Sequence, residues 1–123
     1  MKSYKELTVW QKSFNLALEV YRLTKNFPRE EIYGLVNQIR RAAITIPSNI
    51  AEGYCRQHQK EYIQFLTIAF ASGGELETQL LIAKELKFLK EIEFKQLNDL
   101  LSEVMKMLNV LIRKIKINSS SSP

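Results

Sequence analysis

The chain has 123 residues, a formal net charge of +5 and a pI near 9.4, with 46% hydrophobic and 25% charged residues. That bounds it to one domain with room for a real core, and only 4 Gly and 3 Pro leave little material for a strand-rich, turn-rich fold. A single cysteine, Cys55, excludes an internal disulfide, no apolar run approaches the roughly 18 residues of a bilayer span, and the N-terminus lacks the apolar core of a signal peptide, so a cytoplasmic protein is expected.

The first helix is expected over about 7–26. Trp10, Phe14, Ala17 and Tyr21 mark one apolar stripe, and Val9, Leu16, Val20, Leu23 and Phe27 mark a second beside it. Two adjacent stripes predict burial against more than one neighbour. Asn26 and the residue before Pro28 stop the helix, and Glu30 and Glu31 favour the start of the next through the backbone dipole.

A second helix is expected over about 31–55, with Ile32, Val36, Ile39, Ala43, Ile46 and Ile50 on one face. Pro47 interrupts it. The ring removes one hydrogen bond and crowds the carbonyl four residues back, which predicts a kink near residues 44–48 with Thr45 or Ser48 bonding freed carbonyls. Gly53 permits a left-handed or frayed exit. His58 takes the cap position of the third helix, with Glu61 three residues on.

The third helix is expected over about 59–88, where Tyr62, Leu66, Ala69, Gly73, Leu76, Leu80 and Ala83 keep a 4-3 rhythm. Phe65 and Ile68 point away from that seam. The small-residue run at residues 71–74 predicts close approach of another helix, with room for a ligand as the lesser alternative. The fourth helix, about 92–116, repeats the rhythm in Leu97, Leu101, Val104, Leu108, Leu111 and Ile115, and Arg113, Lys114 and Lys116 suit its C-terminal dipole. Residues 118–123 read as a disordered Ser-rich tail. The fold expected is all-α, an up-down-up-down antiparallel four-helix bundle.

Chemistry for catalysis is thin. His58 and Cys55 lack an orienting third group, no metal-ligand motif occurs, and no phosphate-binding glycine loop or nucleophile elbow is present, so neither an enzyme nor a cofactor is expected. Glu52 either pairs with Arg40, Arg41 or Arg56 or stands solvated. The surplus apolar faces of the first and third helices predict self-association, and the basic balance fits a polyanionic partner as well as it fits solubility and helix-end compensation.

The VWQK at residues 9–12, QIRRAA at 38–43, IPSNIAEG at 46–53 and the small-residue run before Glu75 together resemble a bacterial four-helix-bundle family, over about residues 7–111. Some members are encoded in 23S rRNA intervening sequences and labelled S23 ribosomal proteins; related proteins are accessory variability determinants of diversity-generating retroelements. Thr45, Cys55 and His58 depart from the family's usual residues. The resemblance implies a homo-oligomer, a pentamer in its characterised relatives, with a basic surface that binds RNA or DNA and, in the retroelement relatives, a reverse transcriptase. It nominates Arg22, Lys25, Arg40, Arg41, Arg56 and Lys60 as nucleic-acid contacts. A protein-interaction scaffold is the alternative.

Overall fold

Long apolar-periodic segments separated by short polar links can bury their stripes only against one another. The computed structural model describes residues 3–120, and among them it contains four α-helices, two short 3-10 turns and no strand. The helices are α1 (Thr8–Thr24), α2 (Leu35–Tyr54), α3 (Gln59–Glu85) and α4 (Glu91–Ser120). They pack in a square, each against its two neighbours in the order α1, α2, α3, α4. The buried seam runs through Leu16 and Val20 of α1, Ile39, Ile46 and Ile50 of α2, Leu66, Leu76 and Leu80 of α3, and Leu97, Leu101, Val104 and Leu108 of α4. Among the described residues, no helix is long and apolar enough to cross a membrane.

Each helix end has a local cause. Thr24 closes α1 by turning its hydroxyl back to the Val20 carbonyl at 2.7 Å. The second helix starts later than its sequence pattern predicts. Residues Arg29–Glu31 form a separate 3-10 turn, Gly34 breaks the path at φ −112°, ψ −109°, and the Glu31 carboxylate accepts from the Leu35 amide at 3.4 Å. Ile32, expected on the core face, is therefore left exposed beside Tyr33.

Pro47 lies within an α2 that runs from Leu35 to Tyr54. Thr45 donates to the Arg41 carbonyl at 2.7 Å, and Asn49 donates to the Thr45 carbonyl at 2.8 Å. His58 is the N-cap of α3, but its imidazole makes no capping bond. At the other end of α3, Lys87 adopts a left-handed φ of 65°, and the amides of Lys87 and Phe88 return to the carbonyls of Lys84 and Ala83 at 2.9 Å. That closure ends the helix at Glu85, short of residue 88. The fourth helix opens with the Glu93 carboxylate accepting from the Lys90 amide at 2.9 Å. It continues to Ser120, so residues 118–120 are helical where a tail is expected; residues 121–123 lie outside the described residues.

The glycines act through space. Gly53 is buried inside α2 with no positive φ, so it does not provide a left-handed exit. A Cβ there would stand 2.8 Å from Phe65 Cβ and 2.9 Å from Tyr62 Cδ1. Its missing side chain is what lets the end of α2 lie flat on the start of α3. Gly73 gives its space to the Met105 side chain of α4, while Gly74 has nothing within 4 Å.

Tyr62, edge-on to Tyr54 at 6.1 Å, is half-buried at this contact, and burial followed by the neighbouring phenol pushes its pKa up to about 12. The folded value lies above the ordinary 10, so the contribution is complete below pH 10 and is lost as pH rises toward 12. Ultraviolet titration of the native protein should show a phenol ionising near pH 12, and Tyr62→Phe should remove that step.

Candidate nucleic-acid interface

The basic side chains are distributed by the helices that carry them. In an up-and-down bundle the C-terminus of α1 shares an end with the N-terminus of α2, and the C-terminus of α2 with the N-terminus of α3. Arg40 lies on α2 and Arg56 lies just past its end at Tyr54, so 14 residues of helix, about 21 Å at 1.5 Å per residue, separate them. The nominated cations do not form one patch on a single chain.

Arg22 and Lys25 lie at the α1 exit. Arg22 forks onto the Glu19 carboxylate at 2.7 and 3.1 Å, and that bond holds the Glu19 carboxyl below the ordinary carboxylate range. Lys25 is exposed at the α1 C-cap. Arg40 is half-buried: its Nε donates to Thr24 Oγ1 at 2.9 Å and its guanidinium lies 4.6 Å over the Tyr21 ring. Those contacts tie α2 to α1, a structural use of the charge. Arg41 is exposed above a polar notch between α2 and α3.

At the opposite end, Arg56 pairs with Glu52 at 3.1 Å and reaches Glu61 at 4.0 Å while stacking 5.0 Å over Phe65. Glu52 therefore has its partner four residues along the chain, just past the end of its helix, rather than across helices. Lys60 is exposed in the first turn of α3. Cys55 and His58 are both exposed near this end, and no group of three His, Cys, Asp or Glu side chains among the described residues is placed to hold a metal ion.

The positive end gathers cations that the family resemblance does not nominate. Residues 104–120 of α4 carry Lys106, Arg113, Lys114 and Lys116 and no carboxylate. All of these cations are exposed. Because α4 runs antiparallel to α3, its C-terminus arrives beside Lys60 and Arg56. Neither Lys60 nor Arg113, Lys114 or Lys116 forms an ion pair among the described residues. At the other end the charges alternate: Arg22 and Arg29 stand among Glu19, Glu30 and Glu31, and Lys84 and Lys95 face Glu91 and Asp99. The available signal in the sequence was the absence of acid after Glu103.

A second feature is apolar. The α1 stripe of Trp10, Phe14 and Tyr21 is only partly covered by the chain's own helices. With Leu18, Ile44, Pro47 and Ala51 it lines an open groove of about 510 Å³ between α1 and α2, where Phe14, Leu18 and Ile44 are 43%, 56% and 42% exposed. Trp10 packs 5.0 Å from Phe14 and 5.4 Å from Tyr4, which fixes the rings in place.

The family model of the 23S rRNA-intervening sequence protein matches residues 5–110. The chain belongs to this family. A crystal structure of a protein with unknown function from the S23 ribosomal protein family of Bacteroides thetaiotaomicron shares its fold, with a TM-score of 0.82 and 25% identity over 89% of this chain and 98% of that one. No curated protein matches the chain. The family match stops at residue 110, so Arg113, Lys114 and Lys116 lie just beyond it.

The placement of Arg40 makes a sharp distinction. Replacing it with alanine should lower stability by about 1–2 kcal/mol, from a lost hydrogen bond and a lost cation–ring contact. Polyanion affinity should change less than about twofold, which thermal melts and RNA titrations on the same sample would compare.

Proposed function

We propose that this 23S rRNA-intervening sequence protein is a non-enzymatic, cytoplasmic RNA-binding module that works as a homo-oligomer. The observation that carries the reading is the concentration of unpaired cations at one end of the bundle, around Lys60, Arg113, Lys114 and Lys116. A second copy covering the α1–α2 groove would bury the aromatic stripe that the chain leaves open. A bend of α2 at Pro47, which lines that groove, would shape it for a neighbour's helix. If bundle axes run along the ring axis of a pentamer, every basic end falls on one rim, and repetition raises affinity through avidity.

Contacts of this kind go to phosphates and carry no base information by themselves. Affinity for a single-stranded RNA should therefore fall steeply between about 50 and 200 mM salt, each phosphate contact adding about 0.7 to the slope of log K against log salt. A flat profile, or no binding at the lower salt, rejects the proposal. Light scattering at micromolar concentration tests assembly, and a monomer would remove the rim. The same apolar groove supports a second reading, an accessory subunit or scaffold for a reverse transcriptase or another nucleic-acid enzyme. Retention of such a partner after nuclease treatment, together with loss of it in Phe14→Glu, would favour that reading.

A further inference from the structure

One polar recess remains unused by the phosphate-binding end. Gln38, Arg41, Ala42 and Thr45 recur at i, i+3, i+4 and i+7 on α2, facing Glu75 and Gln79 one turn apart on α3, and together they line a notch of about 270 Å³. That lies just below the usual range for ligand pockets, room for a single small ring system. Its floor is buried: Ala42 and Gln79 are 2% and 7% exposed. Its rim is open, with Gln38, Arg41 and Glu75 in solvent.

The floor holds an unpaid polar atom. Gln79 Oε1 is buried and has no hydrogen-bond partner, in a residue that would otherwise be an ordinary seam position. Buried acceptors are nearly always satisfied, and an ordered water or a ligand donor at the notch floor would complete this one. Arg41 and Glu75 flank the same recess with opposite charge, yet no ion pair joins them. The Thr45 hydroxyl gives its proton to the Arg41 carbonyl, so it offers the recess only lone pairs.

We propose that this notch binds a single guanine base. The occupant must offer donors to a carboxylate and to an amide oxygen, and acceptors to a guanidinium. Guanine presents adjacent N1–H and N2–H donors that match a carboxylate, and adjacent O6 and N7 acceptors that match an arginine fork. Adenine has one amino group and no adjacent donor pair. Cytosine and uracil lack the O6/N7 pair. Base edges of this kind are accessible in unpaired strands, where a nucleotide can turn out of the stack. The inference rests on the RNA-binding reading only for the source of the base, a strand rather than a free nucleoside; it adds a base-reading element to the otherwise sequence-blind contacts of that reading.

Two titrations separate the sources. Guanosine, with no phosphate, is titrated against adenosine, cytidine and uridine by heteronuclear NMR of the full chain. Saturable shifts at Arg41 and Gln79 are expected for guanosine alone, and Glu75→Gln should abolish them without lowering the melting temperature. In parallel, a ten-nucleotide oligouridine is compared with the same strand carrying one central guanosine. The guanosine strand should bind roughly tenfold tighter or better, and Glu75→Gln should erase that preference while leaving the affinity for oligouridine and its salt dependence in place. No guanosine shifts and equal affinity for the two strands overturn the guanine site and leave the RNA-binding proposal standing. Guanosine shifts with no binding of either strand uphold the site as one for a free nucleoside and overturn the RNA-binding proposal instead.

Discussion

Changing Arg113, Lys114 and Lys116 together to glutamate should weaken RNA binding by on the order of 100-fold or more at about 50 mM salt. Each cation lost removes a phosphate contact and each carboxylate gained adds a repulsion, and assembly multiplies the effect around a ring. The fold should survive, because all of these side chains are exposed and Ile115 alone in that turn reaches the core. Some stability would still be lost, about 0.3–1 kcal/mol per site, since acid is unfavourable at a helix C-terminus. The triple glutamine variant separates the two effects: it should lose most of the binding with a smaller change in melting temperature. The matched control is Arg22→Gln at the opposite end, where Glu19 already occupies the guanidinium; there the loss should stay below about threefold. Equal losses at both ends would mean that the rim assignment is wrong.

The largest stability effect is expected at Gly53. An alanine Cβ there meets Phe65 Cβ at 2.8 Å, Tyr62 Cδ1 at 2.9 Å and the Tyr62 carbonyl oxygen at 3.3 Å. Two of those atoms, Phe65 Cβ and the carbonyl, are fixed to the α3 backbone, so relief requires the helices to part. Overpacking of that kind costs about 1–3 kcal/mol, and we expect the upper part of that range, read as a fall in denaturation midpoint. Gly73→Ala provides the contrast. Its Cβ would collide with Met105 Sδ, a closer approach than any at Gly53, but a thioether side chain has rotatable bonds with which to move aside. The helix-propensity gain of about 1 kcal/mol then offsets much of the cost. Gly74→Ala, with open space around it, should simply stabilise by up to about 1 kcal/mol. The expected order of midpoints is therefore Gly74→Ala, wild type, Gly73→Ala, Gly53→Ala. A Gly73→Ala protein less stable than Gly53→Ala would show that Met105 is locked and the reasoning from flexibility fails.

Much of the architecture is legible in the residue spacing. Leu97, Leu101, Val104, Leu108, Leu111 and Ile115 follow a 4-3 rhythm and all but the half-buried Leu111 are buried; in the third helix Leu66, Ala69, Gly73, Leu76, Leu80 and Ala83 are buried and Tyr62 is half-buried. The two stripes on the first helix separate in large part: Val9, Leu16, Val20, Leu23 and Phe27 enter the core, while of the other stripe Phe14 and Tyr21 stay at the surface, Trp10 is half-buried and Ala17 is buried. Boundaries are harder. The second helix begins at Leu35 because Gly34 departs from helical angles, although Glu30 and Glu31 make a good dipole signal four residues earlier. Local preference there loses to the geometry of the turn.

The candidate site was less legible. Arg22, Lys25, Arg40, Arg41, Arg56 and Lys60 are similar letters in the sequence, yet one is stacked on Tyr21, two are held by neighbouring carboxylates and the rest are free of ion pairs. Periodicity fixes which face of a helix is apolar, because burial depends on spacing along a single element. It does not fix which helix ends become neighbours or whether a guanidinium meets a carboxylate, since those depend on how separate elements pack. The sequence by itself thus determined four helices, their buried seams and the surplus apolar stripe on the first. Only the tertiary structure decided that Gly53 is a contact rather than an exit, that Arg40 belongs to the bundle, and that the end of the fourth helix shares an end of the bundle with Lys60, because each of these depends on how residues far apart in the chain are packed.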